Sequence, residues 1–354
     1  MKVSLCMIVK DEEAVLARCL QSAKDVADEL IIVDTGSTDG TKKIAEAFGA
    51  KIFDYEWTDD FAAARNFSFS KALGDYLLWL DADDFLPPES AERFPALKKQ
   101  IEAEHFDVVV CPYDVVQNGE TVCTFGRERL LRRESHFRWQ GRVHECIVQR
   151  GKILRSDFRV RHLGSEKVRG ARNLHIYQKW AAEEKLDSRN LFYYGRELYY
   201  NRLYTEACAV LEEMLAGEGW YVNKIEACKI LGCCKRELGK KEEAAAAFAK
   251  SFFYGEPRAE ILIELADTLR QTGKTNEAAF WYEAALSCRG HAQEGDFENP
   301  LSRALVPLLR LCRLYYERGD TPRAHAYHKK AEALFPDHPS VAYNRKYFRS
   351  VGLK

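Results

Sequence analysis

The stretch Tyr76-Leu77-Leu78-Trp79-Leu80-Asp81-Ala82-Asp83-Asp84 joins a short apolar run to a cluster of carboxylates. The apolar run has the length and residue types of a buried strand, so Asp81, Asp83 and Asp84 follow where that strand ends. Carboxylates this close repel one another unless a cation or solvent neutralises them, and hard oxygen ligands beside a phosphate suit Mg²⁺ or Mn²⁺. The segment therefore predicts a metal site at a strand end. The alternative is that the carboxylates cap the turn at Leu86-Pro87-Pro88.

The rest of the first half alternates short apolar runs with stretches of helical periodicity. The predicted strands are Val3–Val9, Leu30–Val33, Lys51–Tyr55, Tyr76–Leu80 and Asp107–Cys111, and the predicted helices are Asp11–Ala27, Thr41–Phe48 and about Asp60–Leu73. Asp11 is expected to cap the first helix and Gly49 to end the second. This order predicts an α/β domain with a mostly parallel, Rossmann-like sheet, whose ligands bind at the carboxyl ends of the strands.

From about residue 190 the strand signals stop and a helical repeat begins. Each copy places a small residue five positions after a glycine, in the pairs Gly239 and Ala244, Gly273 and Ala278, and Gly319 and Ala324. Asn201–Ala207 is a degenerate first copy, and the last interval contains the polar insertion Arg289–Pro300. A glycine that ends one helix and a small residue where helices cross are what stacked helical hairpins require. We expect about four hairpins over residues 190–340; the alternative is an irregular helical bundle.

Composition narrows the classes of function. The chain has 354 residues, of which 46% are hydrophobic and 30% charged, and its formal net charge is -1. This length predicts two domains, and the near-neutral charge provides no field that would attract nucleic acid or anionic lipid. The 11 cysteines include no C-x-x-C pair, which indicates reduced thiols. Reduced thiols predict a reducing, cytoplasmic location. Neither a signal peptide nor an apolar stretch of membrane-spanning length is expected, so the sequence predicts a soluble protein.

Two further polar clusters lie beside predicted strands and helices. Val33–Thr41 contains Asp34 at a strand end, where a carboxylate suits hydrogen bonding to a base or ribose; the alternative is a capped turn. The third predicted helix places Arg65 among small residues near its start, from which the guanidinium can reach a phosphate. The alternative there is a surface arginine paired with Asp59 or Asp60.

The order and spacing of these clusters over residues 1–165 resemble glycosyltransferase family 2, whose catalytic domain has the GT-A fold. The segment Ser4–Glu13 is similar to the first strand and turn of that family, which implies that Val9 and Glu12 belong to the nucleotide-sugar-binding part. The resemblance also implies that Asp34 contacts a uracil ring and that Arg65 approaches the diphosphate.

The resemblance further implies where a metal binds. Asp81 and Asp83 match the family's metal and ribose motif, so both are expected at the metal and Asp81 also at the donor. His162 follows the strand-like Asp157–Arg161 and stands where related enzymes supply a late metal-binding histidine. The ion would be Mn²⁺ or Mg²⁺. The alternative for His162 is a structural histidine.

A candidate base lies in Trp139–Glu145, which is similar to the W-x-G-x-V-H-E segment of some members of this family. An inverting transfer removes the acceptor proton as the acceptor attacks the anomeric carbon, and a carboxylate does this well. Glu145 is the expected base, with His144 as its neighbour or substitute. The alternative for Glu145 is a surface residue that precedes a strand.

The helical repeats resemble tetratricopeptide repeats. We expect a GT-A domain over residues 1–165, a connecting helix over 166–189 and an all-α repeat domain over 190–354, an architecture similar to sublancin-type peptide S-glycosyltransferases and bacterial protein O-glycosyltransferases. The resemblance implies a metal-dependent inverting transfer from a UDP-sugar to a Ser or Thr hydroxyl or a Cys thiol of a peptide or protein. Repeat arrays often pair through their ends, so a homodimer through residues 190–354 is expected.

Other functions stay open from the sequence. The acceptor is alternatively a saccharide or a lipid-linked molecule, and the sugar is not predicted. A different class is a non-catalytic scaffold of repeats with a degenerate nucleotide-sugar-binding domain. A nucleotidyltransferase also uses paired carboxylates, but it needs a Gly-rich basic phosphate loop near the start, where Lys10-Asp11-Glu12-Glu13 has the wrong charge.

Overall fold

The computed structural model describes residues 1–117, 119–163, 171–290 and 299–353. The chain separates into two compact units, Met1–Trp180 and Ala181–Lys354, called here the N-terminal unit and the C-terminal unit. The domain boundaries expected at residues 165 and 190 stay predictions, and both the expected connecting helix and the polar insertion lie partly outside the described residues. In the part of the chain that is described, every helix is too short or too polar to cross a bilayer.

A mixed sheet organises the N-terminal unit. Its strands are β1 (Val3–Val9), β2 (Glu29–Asp34), β3 (Lys51–Asp54), β4 (Tyr76–Trp79), β5 (Asp84–Phe85), β6 (Val108–Gln117), β7 (Glu120–Arg132), β8 (Trp139–Gln140), β9 (Cys146–Ile147), β10 (Ile153–Arg155) and β11 (Val160–His162). The main sheet has the order β3-β2-β1-β4-β7-β6-β11-β5, with β10 beside β6, whereas β8 and β9 pair separately. The first four strands of this order are parallel, and β7 is antiparallel to both neighbours. The predicted α/β fold with a mostly parallel sheet is confirmed.

Helices pack on this sheet, and a hydrophobic cluster lies on each of its two faces. The helices of this region are α1 (Leu16–Ala23), α2 (Thr41–Ala47), α3 (Phe61–Lys71), α4 (Pro88–Glu104) and α5 (Arg172–Glu183). Along β1, Leu5 and Met7 pack in one buried cluster and Cys6 packs in the cluster of the other face. A parallel strand covered on both faces is a nearly continuous apolar run, which β1 is apart from Ser4, and this is why Val3–Val9 could be predicted to the residue.

The strand register brings three loops to one edge of the sheet. Val9 at the end of β1 pairs with Asp34 at the end of β2, and Cys6 pairs with Trp79 at the end of β4. Because these strands are parallel, the segments that follow them leave the sheet at the same edge. The carboxylates after β4 and the polar cluster after β2 therefore lie on the side where ligands bind in such sheets.

The predicted start and cap of the first helix are wrong. The helix begins at Leu16, not at Asp11, and its N-cap residue Val15 makes no side-chain capping bond. Asp11 instead holds a left-handed backbone with φ of +52°, and its Oδ1 accepts a hydrogen bond of 2.7 Å from the Thr38 N–H. The Asp11 carboxylate, which the sequence predicted to be a helix cap, thus binds the loop after β2 instead. The cap of α3 differs, because Asp60 accepts from the Ala63 N–H at 2.8 Å.

A long hairpin was missing from the sequence prediction. The strand expected at Asp107–Cys111 continues to Gln117 as β6, and β7 returns antiparallel beside it. Charged residues such as Arg127, Glu128 and Arg129 interrupt the apolar pattern of β7, although Glu128 and Arg129 are buried in the structure. Their burial depends on partners elsewhere in the fold, so periodicity alone gives no strand signal.

The C-terminal unit consists of paired helices in the described residues. They are α6 (Ser188–Tyr200), α7 (Tyr204–Ala216), α8 (Tyr221–Glu237), α9 (Lys241–Lys250), α10 (Ala259–Gln271), α11 (Thr275–Leu286), α12 (Leu305–Glu317), α13 (Thr321–Leu334) and α14 (Pro339–Ser350). The repeat glycines all have positive φ, at +78°, +81° and +75° for Gly239, Gly273 and Gly319. The paired alanines are fully buried. The predicted tetratricopeptide-like hairpins are confirmed, and an irregular bundle is not observed.

Replacing Gly273 with alanine is expected to destabilise the C-terminal unit by about 1 kcal/mol, because a left-handed backbone costs a residue with a Cβ roughly that much. An added Cβ meets no atom within 4 Å, so the penalty is backbone strain alone. Arg202 occupies the matching position of the first copy with φ of +61°, so Arg202→Gly is the reciprocal control and is expected to stabilise. Urea unfolding followed by circular dichroism measures the stability of both variants. Unchanged stability of Gly273→Ala would contradict the assignment of Gly273 as a left-handed residue that ends its helix.

Candidate active site

Asp34 ends β2 with one carboxylate oxygen occupied and one unpartnered. The residue is 1% exposed, and its Oδ1 accepts from the Gly36 and Ser37 N–H groups at 3.0 and 2.9 Å. Its Oδ2 is buried and accepts no hydrogen bond from any described residue. A buried acceptor without a donor is unfavourable, so a ligand N–H or O–H would be bound there. A capped turn therefore explains the hydrogen bonds of Oδ1 but not the unpartnered Oδ2.

The loops after β1 and β2 are tied together near Asp34. The carbonyl of Val9 accepts from both the N–H and the hydroxyl of Thr35, at 3.0 and 3.1 Å. The N–H of Glu12 donates to the Thr41 hydroxyl at 2.7 Å. Val9 and Glu12 are therefore positioned beside the polar turn by backbone and hydroxyl contacts.

Arg65 is a buried cation that joins two carboxylates. Its Nε donates to Glu145 Oε1 at 2.6 Å, and a terminal nitrogen donates to Asp81 Oδ1 at 2.7 Å. The guanidinium lies over the rings of Trp79 and Trp139, 5.2 and 4.9 Å from their centres. Burial disfavours its charge, yet the carboxylates of Asp81 and Glu145 outweigh burial and raise the pKa of Arg65. The surface-arginine alternative does not describe this residue.

The neighbours named in that alternative have other partners. Asp60 caps α3, as described above, and Asp59 accepts from Lys179 Nζ at 2.9 Å.

Asp81 is the carboxylate whose charge Arg65 stabilises. Burial would raise the pKa of Asp81, but the charge of Arg65 outweighs burial and lowers this pKa to about 2. Asp81 is consequently held as an anion with Oδ1 directed to Arg65.

Asp83, Asp84 and His162 form a cluster that suits a divalent metal. His162 Nδ1 lies 3.5 Å from Asp83 Oδ1 and 3.1 Å from Asp84 Oδ1. One candidate ligand atom from each residue lies within 4.8 Å of the other two. The cluster forms because β11 pairs antiparallel with β5, which sets His162 opposite Asp84. Carboxylate oxygens with one imidazole nitrogen fit Mn²⁺.

The charge balance of this cluster also fits a cation. Burial raises the pKa of Asp83, and Asp81 and Asp84 raise it further, while His162 opposes them. Burial lowers the pKa of His162, but the hydrogen bond to Asp84 and the charge of Asp83 raise it overall. A divalent ion would relieve the repulsion among these carboxylates. The alternative that these carboxylates cap the turn at Leu86-Pro87-Pro88 does not hold, because the Leu86 N–H donates to the Ser22 hydroxyl at 3.0 Å and a proline has no N–H to be capped.

Glu145 and His144 point to different partners. The Glu145 side chain is 11% exposed and directed to Arg65, so it is not the surface residue of the alternative prediction. His144 has a left-handed backbone with φ of +52°, and its ring stacks on Tyr177 with 6.3 Å between centres. The contact between Glu145 and Arg65 spans 80 positions of sequence and brings the W-x-G-x-V-H-E segment to α3.

Comparison with known proteins assigns this region to a family. Residues 4–160 match the model of Glycosyl transferase family 2. The N-terminal unit contains a family 2 glycosyltransferase domain. The resemblance drawn from the spacing of the polar clusters is thereby confirmed, and the site described above lies within the matched residues and the two that follow.

Two curated relatives match part of this chain. A TPR repeat-containing protein of Synechococcus elongatus is 44% identical over 147 residues, which are 41% of this chain and 35% of that protein. The SPbeta prophage-derived glycosyltransferase SunS of Bacillus subtilis is 29% identical over 205 residues, 54% of this chain and 48% of the relative. The chain thus spans less than half the length of each relative. The S. aureus TarS 1-349 structure with UDP has a TM-score of 0.41 at 16% identity, covering 77% of this chain and 92% of that one.

The family 2 domain brings most of the residues singled out by sequence into two connected groups. One group joins Asp81, Arg65 and Glu145, and the other joins Asp83 and His162. Asp81 faces Arg65, so the carboxylate nearest to His162 is that of Asp84. His144 lies in neither group. Sequence reasoning missed two residues that contact Asp84, namely Tyr113 on β6 and Arg129 on β7.

Proposed function

We propose that this chain is a metal-dependent inverting glycosyltransferase that moves a sugar from a UDP-sugar to a hydroxyl or thiol of a peptide or protein. One observation carries the proposal: inside a family 2 domain, a single buried guanidinium links the candidate base to the carboxylate motif. Arg65 bonds Glu145 at 2.6 Å and Asp81 at 2.7 Å. Base and donor site are therefore held at a fixed separation, which a transfer reaction requires.

The donor's base is recognised by Asp34 in this proposal. The free Oδ2 of Asp34 is a buried acceptor, and the N3–H of uracil is a donor of matching chemistry. Cytosine carries an acceptor at N3, so the same carboxylate would repel it. Uracil is preferred over cytosine for this reason.

Asp83 and His162 would hold a divalent metal for the diphosphate, and Asp81, which accepts from Arg65, would belong to the same donor-binding motif. A divalent cation, when bound, neutralises the charge that develops on the diphosphate leaving group. Glu145 removes the acceptor proton, and no protein acid is needed for the departing diphosphate. Arg65 keeps Asp81 ionised and orients both Asp81 and Glu145, which differs from the direct phosphate contact expected from the sequence.

The acceptor is assigned to peptides or proteins because helical hairpins of the C-terminal unit stack into surfaces that hold extended chains. We also propose that the enzyme is cytoplasmic and homodimeric. Its free cysteines fit a reducing compartment. A saccharide or lipid-linked acceptor is the second candidate, and a scaffold with a degenerate site is the third. The unbroken set of charged residues at the site argues against the third.

Donor binding followed by transfer tests the proposal on the full chain. In a thermal-shift panel of UDP-, GDP- and CDP-sugars with and without Mn²⁺, a UDP-sugar at about 100 times its Kd is expected to stabilise by roughly 2.7 kcal/mol. Products with peptides, saccharides and lipid-linked sugars are then compared by mass spectrometry. The proposal fails when no UDP-sugar binds or is hydrolysed with Mn²⁺. If the donor is hydrolysed but sugar is transferred only to saccharides or lipids, the glycosyltransferase activity stands and the proposed peptide or protein acceptor is wrong.

A further inference from the structure

The carboxylate of Asp84 is buried with both oxygens already occupied. Its Oδ1 accepts from the Tyr113 hydroxyl at 2.9 Å and lies 3.1 Å from His162 Nδ1. Its Oδ2 accepts from the Asp81 N–H at 3.0 Å and pairs with Arg129 at 3.1 Å. Four groups thus surround one carboxylate that has no exposed surface. Asp84 has no oxygen left for a metal without the loss of a donor.

Asp83 is the opposite case, although it is the adjacent residue. Its side chain is 18% exposed, and its Oδ1 lies 3.5 Å from His162 Nδ1. Within the described ranges, its carboxylate accepts no hydrogen bond from another side chain. Asp83 is therefore available to a metal in a way that Asp84 is not.

We propose that Asp84 is not a metal ligand but a positioning carboxylate, which binds the Nδ1–H of His162 and so presents Nε2 of that histidine to the metal held by Asp83. The inference rests on the proposed function, because it concerns the metal of the same site. Metal-binding histidines generally donate their second ring N–H to a carboxylate or carbonyl, which sets the tautomer and the ring orientation.

The tautomer follows from the donors around Asp84. A carboxylate that already receives an O–H, an N–H and a guanidinium acts as an acceptor, so the nitrogen that faces it must carry the proton. The neutral His162 ring then has its lone pair on Nε2. The ring is also held by Tyr113, whose ring centre lies 5.6 Å away at an angle of 44°. The contacts thus set the orientation of the ring and, in its neutral form, the tautomer.

Direct ligation by Asp84 is disfavoured by Arg129. This arginine is buried with Asp84, and its guanidinium lies 3.8 Å from the ring centre of Trp79 and 4.4 Å from that of Tyr113. Moving Asp84 toward a metal would leave a buried cation without its carboxylate, and uncompensated buried charges are costly. The cluster of three candidate ligands therefore divides into two ligands and one support.

NMR of the unaltered full chain with isotope-labelled histidine reads the tautomer directly. With UDP and the diamagnetic probe Cd²⁺, His162 is expected to keep its proton on Nδ1 and to show metal coupling at Nε2. The His162→Gln spectrum assigns the signal. Metal coupling at Nδ1, or no response of His162 to Cd²⁺ while UDP and Cd²⁺ bind, overturns the inference.

Calorimetry with Mn²⁺ and UDP gives a second readout. Asp84→Asn is expected to weaken Mn²⁺ binding roughly 10- to 100-fold, because an amide can donate to Nδ1 and favour the wrong tautomer. Asp114→Asn is the matched control, since Asp114 is also a buried carboxylate, paired with Arg159 at 2.9 Å. Its Mn²⁺ affinity is expected to match that of the unaltered chain.

The outcomes separate this inference from the proposed function. If the unaltered chain binds no Mn²⁺ in the presence of UDP, the proposed metal dependence itself fails. If it binds Mn²⁺ and a folded Asp84→Asn binds equally well, only the role of Asp84 is overturned. Should Asp84→Asn not fold, because Arg129 loses its partner, the NMR measurement on the unaltered chain decides.

Discussion

Asp83→Ala is expected to lower kcat/KM for sugar transfer by roughly 10³-fold, because a metal ligand contributes several kcal/mol of transition-state stabilisation. Asp83 lies near His162, and its carboxylate accepts no hydrogen bond from another side chain in the described residues. Alanine removes the ligand and one of the mutually repelling charges of the cluster. The fold should survive, because burial raises the pKa of this carboxyl and its charge does not stabilise the folded state.

The measurement is UDP release with saturating acceptor over a series of Mn²⁺ concentrations, together with the Mn²⁺ affinity from calorimetry. Asp157→Ala is the control, because Asp157 is a carboxylate with a side chain 75% exposed that pairs with Arg93 on the surface. Surface changes of this kind have small effects. An Asp83→Ala protein with normal Mn²⁺ affinity and near-normal transfer would remove Asp83 from the metal site.

Strands that are buried on both faces could be predicted from sequence, and strands that depend on partners could not. β1 and β4 are continuous apolar runs bounded by polar residues, so their place in a parallel sheet is encoded locally. β7 carries Arg129, whose burial is possible only because Asp84 on another strand neutralises it. No local pattern contains that compensation. Periodicity therefore predicted no strand at β7, and the antiparallel part of the sheet was not predicted.

The candidate site was predictable in its residue types and not in its pairings. Asp81, Asp83 and Asp84 are equivalent in a local reading, because all three follow the same strand. The fold separates them: Asp81 faces Arg65 and Asp84 faces Arg129, whereas among the described residues no arginine pairs with Asp83. These differences come from side chains 16 and 45 positions away in the sequence. Their roles could only be assigned once those contacts were known.

Arg65 shows the same limit at a single residue. Its position early in α3 indicated either a phosphate ligand or a surface ion pair. Its observed place over the rings of Trp79 and Trp139 depends in part on β8, which comes more than 70 positions later in the chain. The cation holds two carboxylates that belong to different steps of the proposed reaction. A change at Arg65 would consequently affect donor binding and proton removal together.

Glu145→Gln is expected to lower kcat for transfer by roughly 10² to 10⁴, because glutamine cannot take the acceptor proton. The substitution keeps the size of the side chain, and the amide oxygen can still accept from Arg65 Nε at the position of Oε1. Folding and donor affinity are therefore expected to stay near those of the unaltered chain. Since Oε1 is paired with Arg65, Oε2 is the oxygen that would receive the proton.

His144→Asn is the variant that separates the two candidate bases. Asparagine tolerates the left-handed backbone of this position, so the change removes the imidazole with little strain. His144 stacks on Tyr177, whereas Glu145 accepts from Arg65, so the loss of the imidazole is expected to reduce transfer far less than Glu145→Gln. Single-turnover transfer with a preloaded UDP-sugar measures the chemical step, and donor Kd is measured in parallel. A large loss in His144→Asn with normal transfer in Glu145→Gln would assign the base to His144. Normal transfer in both variants would place proton removal on another residue, and Arg65 would then serve Glu145 only as a structural ion pair.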